Sequence, residues 1–557
     1  MKTTTATRST KTVTAAQAIV DCMKLEGVSD VFCVPGESYL PLLDALHDEA
    51  SIQLISARHE SGAAFMAEGY AKSSLKPGIV MATRGVGASN LSIGVHTAYQ
   101  DSTPMVVFLG QVHSKFRGRE GFQEVDLDQY FGHIAKWAVE VKDPERMPEI
   151  VQRAFRIAKT GRPGPVVVSL PEDVLPAEAE MTFGPPAVNP KPAPADEEIS
   201  QVANLLSSAE KPLIIAGGGI KSSQAEKALV TFAEQYHLPV IAAFRRQDAF
   251  PNDHPLYAGH LGLGTNPTIL QTVEEADTIL AIGTRLSEVT TQDYQVITPD
   301  KKLIHIDISY DNIGKVFSPD VGIVADARQA LKKLADIDVQ GNWNSWVTER
   351  RQAFEEISCL DVSHNDVINK HIVAMMEYIL PDDALLTNDA GNFAGWLHAY
   401  YPFKKKHTYV GPTSGAMGYG MPAALGAKIA LPDKPVIALA GDGGFMMTIQ
   451  ELETAVRYQI PVITLVFNNQ MYGTIRMHQE IHYPEKVIGT DLGHVSFKAM
   501  AQNVGADGYT ADTLEQFAET LEAALQKNKP AVIEIMTDKE HISVSSTITK
   551  LRDRAKK

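Results

Sequence analysis

One stretch, residues 435–472, constrains the fold of this 557-residue chain more than any other. Two short, apolar, β-rich runs at 436–440 and 462–467 flank a segment of helical periodicity. The apolar residues of that segment are Ile449, Leu452 and Val456. The pattern predicts two parallel strands joined by one crossover helix, and both strands should be buried because helices cover both faces of a parallel sheet.

Polar residues follow both predicted strands. Asp442 follows the first and Asn469 the second, so a right-handed crossover sets both at the carboxyl edge of one sheet. A carboxylate and an amide oxygen suit Mg²⁺, and Gly441, Gly443 and Gly444 let backbone amides approach a diphosphate. Taken alone, the GDGG motif is also typical of an ordinary Gly/Asp turn, and the Asn pair is typical of a cap. Their combination favours a metal-bound diphosphate.

Bulk properties narrow the class of protein. The length suggests about three domains. A net charge of −16 argues against a nucleic-acid or anionic-membrane partner, and no apolar run is long enough to predict a membrane span. Only three cysteines occur, without metal or redox spacing, which predicts reduced cysteines in a cytoplasmic protein.

Composition and periodicity divide the chain into three α/β domains. We predict a first domain at 12–183, a second at 197–340 and a third at 362–540. A Pro-rich linker, 184–196, separates the first two, and a charged helical connection, 341–365, leads into the third. The second domain is Rossmann-like, although its glycine pattern is an incomplete dinucleotide fingerprint.

The GDGG and NN motifs, together with RHESGAAFMAEGYA at 58–71, resemble the signature of thiamine diphosphate enzymes. Over nearly the whole chain the sequence is similar to the acetohydroxyacid synthase (acetolactate synthase large subunit) family. The resemblance implies three doubly wound α/β domains, in which two thiamine diphosphate-binding-type domains flank a Rossmann-like middle domain. It also implies thiamine diphosphate and Mg²⁺ as cofactors.

The resemblance gives roles to individual residues. Glu60 is expected to hydrogen-bond N1′ of the aminopyrimidine; by itself it could be an ordinary charge at a helix start. The carbonyl of Met471 is expected to join Asp442 and Asn469 on the metal. Phe122 and Gln123 are expected to line the substrate side, although Phe122 alone is more typical of a core.

Further residues are expected to contact the cofactor. Met417 is the expected wedge that bends the cofactor, whereas a Met beside a Gly is more often gap-filling core. The full predicted cofactor-binding set is Gly36, Gly391, Asn392, Gly415, Met417, Gly441, Gly443, Gly444, Asn469 and Met471. FAD is possible in the middle domain, and the alternative is a purely structural domain.

The activity implied is decarboxylation of a 2-oxo acid and carboligation, most like conversion of pyruvate to 2-acetolactate. The alternative is a related decarboxylase or aldehyde carboligase, and an idle or nicotinamide-dependent Rossmann protein is a third possibility. A homodimer or homotetramer is expected, because the family holds the two cofactor ends in different subunits. A regulatory small subunit is left open.

Four positions depart from the family on the substrate side. His478, grouped with the catalytic residues, stands where the family has Trp; Glu288 and Val289 replace Asp-Arg; Glu172 replaces Lys. A second anionic 2-oxo acid should be matched less well, and selection for 2-oxobutyrate should be weak. Two further histidines, His96 and His113, lie near the predicted edge, although a lone histidine is more often structural.

Overall fold

Three parallel sheets of six strands each, covered by helices, form the framework of the computed structural model. The structure describes residues 8–339, 341–363 and 367–555. This architecture confirms the predicted α/β fold with three doubly wound domains. Among the described residues, no helix has the length and apolar character needed to cross a bilayer.

The described part of the first domain contains eight strands and six α-helices. Its strands are β1 Ser9–Thr14, β2 Asp30–Cys33, β3 Gln53–Ser56, β4 Gly78–Ala82, β5 Met105–Gln111, β6 Trp137–Glu140, β7 Pro165–Pro171 and β8 Glu178–Phe183. Its helices are α1 Ala15–Leu25, α2 Leu40–His47, α3 Glu60–Ser74, α4 Arg84–Asp101, α5 Leu127–Phe131 and α6 Met147–Lys159. β1 and β8 pair antiparallel with each other, apart from the six-stranded sheet.

Among its described residues, the middle domain contains six strands and six α-helices. The strands are β9 Pro212–Ala216, β10 Val240–Ala242, β11 Tyr257–His260, β12 Thr278–Ile282, β13 Lys302–Asp307 and β14 Val321–Val324. The helices are α7 Asp196–Ser207, α8 Gly218–Ser222, α9 Glu226–Tyr236, α10 Pro267–Glu275, α11 Ala327–Leu334 and α12 Asn344–Ser358.

The third domain contains six strands and nine helices in its described part. The strands are β15 Leu385–Asn388, β16 Tyr409–Val410, β17 Val436–Gly441, β18 Ile463–Asn468, β19 Asp507–Ala511 and β20 Ala531–Met536. The helices are α13 Ile368–Ile379, α14 Ala394–Tyr400, α15 Gly420–Ala430, α16 Asp442–Thr448, α17 Glu451–Arg457, α18 Gly473–His482, α19 Phe497–Asn503, α20 Leu514–Lys527 and α21 Ile548–Ala555.

Strand order locates the ligand crevices. The first sheet runs β3-β2-β4-β5-β7-β6 and the third runs β16-β15-β17-β18-β20-β19, so the two share one topology. The middle sheet runs β11-β10-β9-β12-β13-β14, the order of a Rossmann fold. Ligands of such sheets bind where the order reverses, outside the carboxyl ends of the strands. The reversals fall between β2 and β4, between β9 and β12, and between β15 and β17.

The segment predicted as a charged connection contains α12. Its Trp346 and Val347 are buried in the core of the middle domain, and the Trp346 indole donates a hydrogen bond to the carbonyl of Pro212 at 2.9 Å. This helix therefore packs as part of the middle domain. Residues 340 and 364–366, at the predicted limits of the second domain and of the connection, lie outside the described residues.

The crossover between β17 and β18 consists of two short helices instead of the single predicted helix. The Thr448 hydroxyl at the end of α16 donates a hydrogen bond to the carbonyl of Gly418 at 2.8 Å. The chain then turns at Ile449 and Gln450, and α17 begins with Glu451 fully buried. Both flanking strands are buried and parallel, as predicted.

Candidate active site

The Asp442 carboxylate lies at the carboxyl end of β17, in the first turn of α16, and is 6% exposed. One of its oxygens accepts a hydrogen bond from the amide of Gly443 at 2.9 Å. Burial raises the pKa of Asp442, while the amides of Gly443, Gln470 and Met471 favour its ionised form. The two predicted motifs lie at one edge of the sheet because β17 and β18 pair in parallel, with Gly441 opposite Phe467.

That turn presents Asn469 and Met471. The side-chain oxygen of Asn469 accepts a hydrogen bond from the Met471 amide at 3.2 Å, and Gln470 between them has φ = +52°. A Cβ on Gly473 would lie 3.4 Å from Nδ2 of Asn469 and 3.8 Å from Nδ2 of Asn392. The structure thus brings the predicted residues Asn392 and Asn469 together around Gly473.

The predicted cofactor glycines have different surroundings. A Cβ on Gly443 would meet the Tyr472 ring at 2.5 Å, and one on Gly391 would meet the Phe393 ring at 2.6 Å. A Cβ on Gly441 would meet nothing closer than 3.4 Å, and Gly415, with φ = +69°, has nothing within 4 Å. Packing within the protein therefore requires Gly443 and Gly391, whereas Gly441 and Gly415 leave room for a ligand.

The loop of Met417 is anchored by Asp389, a residue that the sequence reasoning missed. Met417 is half-buried, and the amide of the next residue, Gly418, donates a hydrogen bond to Asp389 at 2.9 Å. A Cβ on Gly444 would lie 2.8 Å from the same carboxylate. Burial raises the pKa of Asp389 to about 7, although hydrogen bonds from the amides of Ala390 and Gly418 favour the ionised carboxylate. Asp389 directly follows β15, inside the sequence NDAGN, and this position at the end of a strand could have indicated a site residue.

In the first domain, Glu60 begins α3, as predicted, and is buried. The side-chain amide of Asn90 on α4 donates a hydrogen bond to one Glu60 oxygen at 2.9 Å. A Cβ on Gly87 would lie 3.2 Å from the other oxygen. This second oxygen lies beside Gly87, where a Cβ would be tight.

Phe122 and Gln123 lie near the start of α4. The carbonyl of Gln123 accepts a hydrogen bond from the amide of Gly85 at 3.0 Å. Phe122 is 72% exposed, so the core interpretation of this residue was wrong. A Cβ on Gly36 would lie 2.5 Å from Cβ of Thr83, which places this predicted cofactor residue beside the start of α4 as well.

The remaining singled-out residues are three histidines. His478 is exposed on α18, and its ring stacks on that of His482 with centroids 6.1 Å apart. His96 is half-buried on α4. His113 donates its backbone amide to Glu172 at 3.2 Å.

A cavity of about 550 Å³ opens at the strand-order reversal of the middle domain. Gly218 and Gly219 line it after β9, and Arg285 lines it after β12. The departures Glu288 and Val289 line the same cavity. Burial, followed by repulsion from Arg162, lowers the pKa of Arg285 to about 10. An anion in this cavity would relieve that repulsion.

Comparisons with known proteins match three regions of the chain. Models of the thiamine pyrophosphate enzyme N-terminal TPP binding domain, central domain and C-terminal TPP binding domain match residues 13–130, 199–334 and 389–535. The chain is 34% identical over 544 residues to a probable acetolactate synthase large subunit of Methanocaldococcus jannaschii, covering 94% of this chain and 92% of that protein.

Two further relatives are equally well covered. The acetolactate synthase large subunit of Lactococcus lactis is 33% identical, covering 96% of this chain and 94% of its own. Acetolactate synthase isozyme 3 large subunit of Escherichia coli is 32% identical, and the match covers 95% of this chain and 96% of that protein. The chain belongs to the acetolactate synthase large-subunit family of thiamine pyrophosphate enzymes.

Membership in this family confirms the predicted enzyme class, a thiamine diphosphate-dependent carboligase, and its organic cofactor. The matched C-terminal domain contains Asp442 and Asn469, and the matched N-terminal domain contains Glu60. The relatives are named large subunits, which implies a smaller partner subunit for those proteins.

Glu451 is a second residue that the sequence reasoning missed, and it supports the position of Glu60. It belongs to α17 of the third domain and is fully buried, yet it accepts backbone hydrogen bonds from Arg58 at 3.1 Å and His59 at 2.9 Å. A Cβ on Gly62 would lie 2.4 Å from its carboxylate. The third domain thereby holds the two residues that precede Glu60.

Replacing this buried carboxylate should destabilise the protein. In Glu451→Gln an amide group faces a backbone N–H, and one buried donor loses its acceptor, so we expect a loss of about 1–3 kcal/mol. The control is Glu453→Gln on the same helix, whose partly exposed ion pairs should contribute about 0.5 kcal/mol. Chemical denaturation measures the stability of both variants. Equal denaturation midpoints for the two would contradict the anchoring role of Glu451.

Proposed function

We propose that the chain decarboxylates pyruvate and transfers the remaining two-carbon unit to a second carbonyl compound, with thiamine diphosphate and Mg²⁺ bound. With pyruvate as the second substrate the product is 2-acetolactate; the alternative acceptor is an aldehyde. The observation that carries this proposal is the pairing of Asp442 with the Asn469 turn at one sheet edge, in a chain that also buries Glu60. Bound thiamine diphosphate would supply a thiazolium ring that accepts the electron pair left when CO₂ departs.

The donor set around Asp442 fits Mg²⁺. Among residues 8–339, 341–363 and 367–555, no group of three or more His, Cys, Asp or Glu side chains could hold a metal. A site built from one carboxylate, the Asn469 amide oxygen and the Met471 carbonyl leaves positions for water and phosphate oxygens. Mg²⁺ prefers such partial protein ligation.

The geometry at Glu60 supports a proton-sharing role. Asn90 occupies one carboxylate oxygen at 2.9 Å and fixes the orientation of the side chain. The other oxygen, beside Gly87, is then available to hydrogen-bond N1′ of the aminopyrimidine. Phe122 and Gln123 would line the substrate side of the same region.

Exposed apolar side chains near both groups support assembly into a homodimer or homotetramer. Val86 and Ile93 of α4 are 51% and 40% exposed, on the helix that carries Asn90. Met446 and Met447 of α16 are each 47% exposed, on the helix that begins with Asp442. Association of two copies through these helices would bury apolar surface beside the proposed sites.

Other parts of the proposal concern location and partners. The cysteines Cys22, Cys33 and Cys359 are all unpaired, which supports a cytoplasmic location. The names of the relatives make a small regulatory subunit a candidate partner. No nucleic-acid or membrane partner is proposed.

Metal dependence tests the Asp442 assignment. After dialysis against a chelator, activity with pyruvate should return only when both Mg²⁺ and thiamine diphosphate are added. Asp442→Asn should raise the Mg²⁺ concentration for half-maximal activation roughly tenfold or more, because a carboxylate–cation attraction of about 1–4 kcal/mol is lost. Asp491→Asn, an exposed carboxylate in the adjoining segment, is the control. Full activity without metal or cofactor would refute the assignment.

The Glu60→Gln variant keeps the shape of the side chain but cannot share a proton in the required way. We expect cofactor binding, measured as the thermal shift, to stay near normal while product formation falls about 100-fold or more. Glu149→Gln removes an exposed charge from the first turn of α6 and should have no effect. If Glu60→Gln matches that control in turnover, Glu60 is only a charge at a helix start.

We further infer that the middle-domain cavity takes FAD, whose diphosphate would lie among Arg162, Arg246 and Arg285. The purified protein should then release flavin on acid treatment, identified by its absorbance spectrum. Arg285→Ala should lower the retained amount, whereas the exposed Lys302→Ala should not. Absence of flavin even after incubation with FAD would favour the structural alternative.

A further inference from the structure

Charged side chains that have no part in the proposed function lie at the carboxyl edge of the first sheet. The Arg84 guanidinium contacts the carboxylate of Glu37 at 3.0 Å and that of Glu172 at 2.7 Å. These three residues, here called the arginine–glutamate cluster, follow β4, β2 and β7. Arg84 is 6% exposed, and its Nε has no hydrogen-bond partner.

The cluster lies at the strand-order reversal of this sheet, between β2 and β4, where such sheets bind ligands. The residues on either side of Arg84 connect it to the predicted site. The Thr83 side chain occupies the space that a Cβ on Gly36 would need. The amide of Gly85 donates a hydrogen bond to the carbonyl of Gln123. Farther along the same helix, Asn90 holds Glu60. Helix α4 is thus a wall common to the cluster and to Glu60.

The exposed part of the cluster is anionic. One guanidinium faces two carboxylates, so one negative charge remains in excess. The cation is the buried member: the side chain of Glu37 is 69% exposed and that of Glu172 is 31% exposed, against 8% for Arg84. Both terminal nitrogens of Arg84 are already occupied by glutamates. An incoming carboxylate would meet negative charge and no free guanidinium nitrogen at this surface.

We propose that Glu37 and Glu172 make the acceptor side selective for an uncharged aldehyde over a second 2-oxo acid. This inference rests on the proposed function and names the acceptor class. The reaction is pyruvate + aldehyde + H⁺ → 2-hydroxy ketone + CO₂: the bond to CO₂ breaks, a C–C bond forms to the aldehyde carbon, and its oxygen takes a proton. Glu37 and Glu172 act through charge and do not exchange protons with the substrate.

The test is a competition between acceptors in one mixture of pyruvate and propanal. Pyruvate as acceptor gives 2-acetolactate, and propanal gives a hydroxypentanone, so each product reports one acceptor. The ratio of the two products does not depend on how much enzyme is folded. The wild-type protein should favour the hydroxypentanone when the two acceptors are at equal concentration.

Removing carboxylates should shift that ratio toward 2-acetolactate. We expect each of Glu37→Gln and Glu172→Gln to change it roughly three- to thirtyfold, because each variant removes one negative charge that repels the acceptor carboxylate. Added salt should shift the wild-type ratio in the same direction, because salt screens the charges of Glu37 and Glu172. It should not change the ratio in the variant that carries both substitutions. Glu149→Gln on α6 is the control.

The possible results separate the two proposals. A protein that forms neither product with thiamine diphosphate and Mg²⁺ present overturns the proposed function. A protein that forms both products, with a ratio that neither variant nor salt changes, overturns only the selectivity assigned to the cluster. Because Glu37 is largely exposed, its variant should fold even if Glu172→Gln does not.

Discussion

The close packing of α3 against α15 joins the first and third domains, and the positions of both residue groups depend on it. A Cβ on Gly426 would lie 1.9 Å from the carbonyl oxygen of Met66, and one on Gly69 would lie 2.2 Å from that of Ala423. The two backbones therefore touch, which explains the Gly/Ala-rich sequences of both helices. Since α3 begins at Glu60 and α15 follows the Met417 loop, this contact fixes the two relative to each other.

A buried charge network extends the same contact to the middle domain. Lys72 of α3 pairs with Glu68 and Asp101 at 2.9 Å each, and Asp101 also pairs with Arg246 at 3.2 Å. Burial favours neutral Asp101, but Lys72 and Arg246 outweigh it and hold the pKa of Asp101 at about 2. Buried charges are tolerated only with such complete pairing. Because Arg246 also lines the middle-domain cavity, a ligand there would contact the network that orients the domains.

Local sequence patterns predicted the parts of the structure that local forces determine. The buried strands, the position of Asp442 at a strand end and Glu60 at a helix start follow from periodicity and turn chemistry over a few residues. The sequence could not reveal that Glu451 supports the segment before Glu60, since the partners are nearly 400 positions apart in the chain. Nor could it show that Gly426 serves helix packing, because a glycine needed by a ligand and one needed by a neighbouring backbone look alike in sequence.

Sheet topology determines where ligands can bind, and side chains at the edges determine which ligands do. The first and third sheets have the same strand order, yet the third presents glycines and amides at its reversal and the first presents the arginine–glutamate cluster. Arg84 pairs with Glu172 at 2.7 Å. A Lys at position 172 would place two cations side by side. A cation at position 172 would therefore be accommodated only if Arg84 changed with it, because the two side chains are in direct contact.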